Sequence, residues 1–351
     1  QSEMWDLFWS DLSVSSDRVQ RLLPFQRLNH FPGMMEICRK AALSRHLARM
    51  ATKLPSEYRF YPTSLVLPDQ LDELMTALKR NKARADAAET AGRGIALVQY
   101  PQQLAEAGDV GNCVAQSYVT SPLLLEGFKF DLRVYALVMS VDPLRIHLYD
   151  EGLARLATEP YMPPSSSNLR TTTMHLTNYA VNKAAAGFVS ADAAPAGGGS
   201  KRPMSAVLAQ LAAQYGTTQE ALQSSIADVV NKTVMAIQPL LAHTASAADP
   251  TAPCGCPPSL CFEVLGFDIL FDTQLQPWLL EVNHSPSFAS DSRLDRAVKG
   301  EMLARTLEML GQQPNARRLF LEVDCGWGEG RGKGGKGGER RIRVCFSVGT
   351  R

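Results

Sequence analysis

Three oxygen-bearing side chains, Asp268, Glu281 and Asn283, stand within the apolar run FEVLGFDILFDTQLQPWLLEVNHSPSF, Phe262 to Phe288. Burying an isolated carboxylate is costly, so acids inside two expected core strands need a compensating partner. Oxygen ligands suit a hard cation, which points to Mg2+. Strand side chains alternate between faces, so Glu281 and Asn283, two apart, project together. A turn around Thr273 and Gln274 folds Asp268 back beside them. Two carboxylates and an amide on one hairpin make a seat for a magnesium-bound nucleotide. The competing reading is a buried, hydrogen-bonded acid at a turn.

Other elements must hold that hairpin in place. FKFDLRVYALVMSVDPLRIHLY, from Phe128 to Tyr149, reads as a strand pair turned at Asp142 and Pro143, with Asp131 and Arg133 on one face. A central sheet is expected. FYPTSLVLP (Phe60 to Pro68) reads as an edge strand entering a second lobe. After it, Asp69 to Ala91 reads as a polar, alanine-rich helix, broken at Gly92, Arg93 and Gly94 before the strands IALVQY and CVAQSYV. Met35 to Met50 is helix-like and carries Arg39, Lys40, Arg45 and Arg49. Residues 184–203 turn to Ala, Gly, Ser and Pro, the composition of a flexible surface insertion. Two amphipathic helices follow, Ser205 to Tyr215 and Gln219 to Leu241. Leu222, Ile226, Val230 and Ile237 form an apolar stripe there, and Thr217 with Glu220 has capping-box spacing. A last helix spans Leu294 to Leu310. The tail from Gly311, with GEGRGKGGKGGERRIR, reads as low-complexity and disordered.

Bulk properties narrow the function classes. The 351 residues are 45% hydrophobic, enough to bury a sizeable core in one large or two to three small lobes. Thirty-six basic against 35 acidic residues give a formal net charge of +1, so no general nucleic-acid or membrane binding is expected. No run is long and apolar enough for a bilayer span. The seven cysteines are scattered, and the tightest group, Cys254, Cys256 and Cys261, lacks zinc-site spacing. An odd count without a signal peptide favours a reducing cytosolic compartment, and a start at Gln1 favours a trimmed or partial chain.

Taken together, QRLNHFPGM, GFKFDLRVYALV, EGLARLATEPY, MHLTNYAVNK, CFEVLGFDIL and PWLLEVNHSPSFASDSRLD resemble the tubulin tyrosine ligase-like family in its polyglutamylase branch, over Trp5 to Leu310. The resemblance implies an α/β (α+β) ATP-grasp fold with nucleotide between two lobes of mixed and antiparallel sheet. Its divisions would be an N-terminal lobe 1–68, a small lobe 69–120, a C-terminal lobe 121–310 with the insertion 184–203, and a tail 311–351. It implies an ATP- and Mg2+-dependent ligase that activates a glutamate side chain of a tubulin tail as an acyl phosphate and joins free L-glutamate to it by an isopeptide bond. Gln116, Ser117, Tyr118 and Val119 would be the adenine hinge, although the family has a lysine where Ser117 stands. Lys129 and Asp131 would lie beside the nucleotide, Thr177 and Asn178 would reach it from the other lobe, and Arg133 would point to the phosphates. Arg93 and Gly94 would meet the phosphates and the acceptor. Asp268, Glu281 and Asn283 would hold magnesium. Arg155, Tyr179, Lys183 and Lys299 would take the incoming glutamate, whose two carboxylates need more than one cation. The partners implied are tubulin or microtubules, with no nucleic acid and no membrane, and a monomer is expected. The implied location is cytoplasm and cytoskeleton, including a ciliary axoneme or basal body.

One part of the pattern is missing. The family carries a Lys-Pro pair on the strand before the glycine turn, whereas LKRNKARADAAETAGRGI (Leu78 to Ile95) has none and reads as helical. The alternative function is therefore a catalytically impaired relative that still binds microtubules or nucleotide.

Overall fold

A computed structural model describes residues 5–80, 88–91, 95–106, 113–193, 198–248, 260–311 and 344–347. The chain opens with β1 (Leu7–Ser10), α1 (Ser16–Gln20), β2 (Arg27–Leu28), α2 (Met35–Cys38), α3 (Lys40–Lys53) and β3 (Ser64–Val66). It continues through α4 (Leu71–Arg80), β4 (Ala88–Ala91), β5 (Ile95–Val98), α5 (Pro101–Glu106), β6 (Val114–Ser117) and β7 (Leu124–Leu125). Next come β8 (Phe128–Val141), β9 (Leu144–Leu148), β10 (Leu153–Leu156), α6 (Thr172–His175), α7 (Tyr179–Asn182) and β11 (Lys201–Pro203). Helices α8 (Met204–Tyr215), α9 (Gln219–Met235) and α10 (Gln238–Ala248) precede the hairpin β12 (Glu263–Phe271) and β13 (Pro277–Asn283). Helix α11 (Arg293–Leu310) and β14 (Val344–Ser347) close the described chain.

The long strand β8 organises a seven-stranded antiparallel sheet in the order β11-β10-β8-β12-β13, with β7 and β9 also paired to β8. Alternation sets its two faces. Phe130, Leu132, Val134, Ala136 and Val138 of β8 join Leu265, Phe267 and Ile269 of β12 in a core that also contains Val207, Leu211, Ile226 and Val230 of α8 and α9. Full burial of one such aliphatic side chain is worth about 1.5–3 kcal/mol, so this layer fixes the sheet against the helices. The opposite face is divided. At one end Tyr135, Leu137, Phe262 and Val264 pack with Val298 and Met302 of α11 and with Trp9 of β1. At the other end the same face carries Asp131, Arg133 and Asp268.

A four-stranded antiparallel sheet, β3-β6-β4-β5, and a three-stranded parallel one, β14-β1-β2, complete the mixed α/β architecture. Among the described residues no helix is long and apolar enough to cross a membrane.

Several expectations need correction. The alanine-rich stretch before the glycine turn is not helical throughout: Ala88–Ala91 forms β4, paired on both sides by β5 and β6. A strand therefore does precede the turn, without a Lys-Pro pair, because sheet pairing overrides alanine's helix propensity. Residues 201–203 at the end of the expected insertion form β11 and pair with β10, and Arg202 grips Glu126 with two 2.7 Å hydrogen bonds. Within the expected disordered tail, Val344–Ser347 pairs in parallel with β1. The cap of α9 is Thr218, whose Oγ1 accepts from the Ala221 amide at 3.1 Å, rather than Thr217.

Candidate active site

Cross-strand register alone gathers the charged residues. Asp268 on β12 lies opposite Arg133 of β8 on one side and opposite Glu281 of β13 on the other. Asp131, two residues before Arg133, lies opposite Arg155 of β10, and Arg155 lies opposite Lys201 of β11. Five strands thus present one polar row. Gly266 gives the row room: a Cβ there would stand 3.0 Å from Pro286 and 3.1 Å from Cδ of Arg133, crowding the Arg133 stem.

The ion pairs are buried and shared. Arg133 donates to both Asp268 oxygens, at 2.5 and 3.1 Å. Arg155 donates to both Asp131 oxygens and also reaches Asp268 Oδ2 at 2.8 Å. Arg133 thus pairs with Asp268, not with its strand neighbour Asp131. Thr177 Oγ1 donates to Asp131 Oδ2 at 2.7 Å. Burial alone would raise the Asp268 pKa, but Arg133 and then Arg155 hold it well below the ordinary carboxylate range. Glu281 behaves oppositely. Burial, then the Asp268 charge, push its carboxyl from 4.5 up to about 7, and Lys40, 3.7 Å away, opposes the rise.

That asymmetry tests the fit to a divalent cation. A carboxylate offers about four lone-pair sites, and the arginines take three on Asp268, leaving one on Oδ1. Glu281 lies directly opposite Asp268 in the ladder, and burial with the Asp268 charge favours its protonated form. A hard cation held by both acids would take over the charge compensation that protonation of Glu281 otherwise supplies. Asn283 donates its amide NH to the Gly266 carbonyl at 3.2 Å, which leaves its oxygen free to accept. Two carboxylates and an amide oxygen are a donor set that suits Mg2+.

Lys129, Asp131, Thr177, Asn178, Asp268 and Glu281 line one cleft, together with Lys40, Ile95, His175, Leu176 and Leu280. Lys129 donates to the His175 carbonyl at 2.7 Å and lies 4.1 Å over the Tyr118 ring. Tyr118 meets His175 Nδ1 at 3.2 Å. Burial and then Lys129 lower the His175 pKa, keeping the ring neutral. The Gln116 amide donates to Ser64 Oγ and so is directed to the neighbouring strand β3. Ser117 is exposed and Val119 half-buried. Arg93 and Gly94 lie outside the described residues, as do Cys254 and Cys256; Ile95, which follows Gly94, reaches the cleft.

The four residues expected to take glutamate fall in three places. Arg155 is locked between Asp131 and Asp268. Tyr179 and Lys183 both hold Asp291 at 3.1 Å, on the surface. Lys299 is buried, 2.9 Å from Asp295 and bonded to the Ala289 carbonyl. Lys201 joins the three: it is 3.0 Å from Asp295, lies 3.7 Å over the Tyr179 ring, and stands across the strand from Arg155. The sequence pattern singles out neither Lys201 nor Lys40 as a site residue. The alternation LARL opposite KRP was the available signal for Lys201, but it is three residues long. For Lys40 no local signal exists.

A second polar cluster lies behind the hairpin. His30, Glu263 and His284 offer donor atoms within 4.8 Å of one another. Their geometry is not that of a metal site, because the two imidazoles stack 4.0 Å apart at 11° and their lone pairs lie in separate parallel planes. His30 Nδ1 is 3.0 Å from Glu263 Oε1, and the Phe31 amide donates to Oε2 at 2.9 Å. The cluster ties the N-terminal segment to β12. Burial and then His30 lower the His284 pKa to about 3, so that ring is neutral.

Residues 18–318 match the family model described as Tubulin-tyrosine ligase family. The chain is 43% identical over 330 residues to tubulin polyglutamylase TTLL13 of Mus musculus, covering 92% of this chain and 40% of that protein. It is 40% identical over 328 residues to tubulin polyglutamylase TTLL6 of Homo sapiens, 92% of this chain and 36% of that one. A probable beta-tubulin polyglutamylase of Tetrahymena thermophila is 37% identical over 328 residues, 92% of this chain and 27% of the relative. The chain therefore spans less than half the length of these relatives.

Proposed function

Because the chain belongs to the tubulin-tyrosine ligase family, we propose that it is an ATP- and Mg2+-dependent ligase, built on an ATP-grasp fold, that joins free L-glutamate to glutamate side chains of tubulin tails. The reading rests on one observation: an acid pair, buried Asp268 and half-buried Glu281, shares a cleft with Lys129, Asp131, Thr177 and Asn178. Three relatives whose names describe polyglutamylases support the donor and acceptor. In lobe terms, 1–68 is family-specific, 69–120 covers the nucleotide and 121–310 carries the acids.

Carboxylate and amine do not condense unaided, so the acceptor must first be activated. An acceptor carboxylate oxygen bonds to the γ-phosphorus while the bond to the bridging oxygen breaks, and that electron pair leaves with ADP. The glutamate amine then attacks the acyl carbon, phosphate departs with the carbon–oxygen pair, and the amine's surplus proton passes to phosphate or solvent. Little covalent chemistry is left to the protein, so positioning and charge neutralisation dominate. Asp268, Glu281 and Asn283 would hold the magnesium, which would neutralise charge on the phosphates. Arg133 and Arg155 keep Asp268 ionised and oriented for that role. Lys129, Asp131, Thr177 and Asn178 would contact the nucleotide, the Gln116–Val119 segment its base, and Arg93 with Gly94 the phosphates. Arg155, Tyr179, Lys183 and Lys299, with Lys201, would receive glutamate, the acids Asp291 and Asp295 releasing cations to its two carboxylates.

The expected site of action is the cytoplasmic cytoskeleton, ciliary axonemes included, with the protein acting as a monomer. The test is incorporation: Mg-ATP, labelled glutamate and tubulin should give label in tubulin that excess glycine or tyrosine does not displace. Tubulin binding without label would instead favour the impaired relative, a reading motivated by the missing Lys-Pro pair in Leu78 to Ile95.

A further inference from the structure

Lys40 is the first residue of α3, and its Nζ lies 3.7 Å from Glu281 Oε2. It lines the same cleft as Lys129, Asp131 and Asp268, yet it comes from the N-terminal segment, 241 residues before Glu281. We propose that Lys40 is a catalytic residue of this ligase, its ammonium contacting the phosphoryl group as it passes from ATP to the acceptor carboxylate. The inference rests on the ligase reading above and adds a residue to it.

The placement is rigid. Leu43 and Leu47 bury α3 in the main core, as Ile37 buries α2. His46 meets Glu36 at 2.9 Å, which braces the two helices against each other. Ser44 bonds both the Lys40 carbonyl, at 2.7 Å, and Tyr61 Oη, at 3.0 Å. The Lys40 side chain is 19% exposed, so its stem is packed while its charge reaches the cleft.

Charge requirements favour the same assignment. A transferred phosphoryl group spreads negative charge over three equatorial oxygens, and cations around it stabilise the transition state. Among the described residues lining the cleft, the lysines are Lys40 and Lys129. Lys129 is engaged at the Tyr118 and His175 end, by a hydrogen bond and a ring contact. Lys40 stands at the acid pair, where the reacting phosphate would be. The stretch before the glycine turn offers no Lys-Pro pair to do this. In the transfer the new bond joins an acceptor oxygen to phosphorus, the bond to the bridging oxygen breaks, and its electron pair leaves with ADP. Lys40 keeps its proton throughout and contributes charge alone.

The experiment compares full-length wild type, Lys40→Met and Lys40→Arg in labelled-glutamate incorporation into tubulin, over series of ATP and Mg2+, with a thermal melt of each. Lys40→Met should lower kcat about 100-fold, on the scale of losing one electrostatic stabiliser. Its KM for ATP should stay within about threefold, and Lys40→Arg, retaining the charge, should recover to within about tenfold of wild type. An unchanged kcat in Lys40→Met overturns the proposal and leaves the ligase reading intact. Recovery of the Met variant at saturating Mg2+ also overturns it, since Lys40 would then act only by pairing with Glu281. If Lys40→Met melts early but Lys40→Arg melts normally, the Arg rate decides: no better than Met overturns the catalytic role. An inactive wild type overturns the ligase reading, and this assignment with it.

Discussion

Asp268→Asn should reduce glutamate incorporation about a thousandfold or more and destabilise the fold by about 3–5 kcal/mol, because the side chain serves two functions at once. Its carboxylate is the common partner of Arg133 and Arg155 on a strand paired on both sides. Removing the charge leaves Arg133 buried without the acid it grips, and breaking a buried pair from one side costs far more than the pair contributes. The same change would remove one of the ligands that the proposed function assigns to magnesium. The pH dependence has a definite sign. The folded-state pKa of Asp268 lies below its ordinary value, so its contribution is fully present above the unfolded pKa and is lost only as pH falls through the folded one. The deficit should therefore be complete at neutral pH and shrink only in strong acid. Urea denaturation of the metal-free protein, with the incorporation assay, checks both parts. A variant of native stability, or one keeping a tenth of the activity, would contradict the shared role.

Glu281→Gln should separate activity from stability. As a ligand of the proposed magnesium, Glu281 should cost about 100–1000-fold in rate when replaced. In the metal-free protein the same substitution should stabilise the fold at about pH 8, by roughly 1–3 kcal/mol. Burial and Asp268 raise the Glu281 pKa from 4.5 to about 7. A raised folded pKa gives stability that is present below the unfolded value and lost as pH rises through the folded one. Glutamine resembles the protonated acid and escapes that loss. The side chain is 29% exposed, which places the effect below the full 1.36 kcal/mol per pKa unit. Near pH 4 the two proteins should melt alike. Adding Mg2+ and nucleotide should then stabilise the parent and leave the variant little changed. Equal stability across the pH range would mean that the two acids are not coupled.

The hairpin was legible from sequence because its signal is local: period-two alternation places Glu281 and Asn283 on one face, and a short turn returns Asp268 to them. The faces of β8 and the buried stripe of α9 were legible for the same reason. What escaped was long-range register. Arg155 is 24 positions from Asp131 and 113 from Asp268, and nothing near it in sequence says that it will be shared by both. Lys201 followed a run of glycine and alanine whose composition reads as loop, and three residues of pairing carry no detectable period. Ala88–Ala91 looked helical because alanine is a helix former, yet a place between β5 and β6 outweighs that preference. Lys40 read as one charge among several on a helix. Its meaning comes from α2 and α3 packing beside β13, a consequence of the fold rather than of any neighbouring residue.

The most direct test of the central claim is a crystal structure of the protein with Mg2+ and a non-hydrolysable ATP analogue. Oxygens of Asp268 and Glu281 should coordinate one ion at about 2.0–2.1 Å, with the Asn283 oxygen in or beside its shell and the γ-phosphate on the same ion. An ordered nucleotide whose metal is held elsewhere, with neither Asp268 nor Glu281 among its ligands, would contradict it.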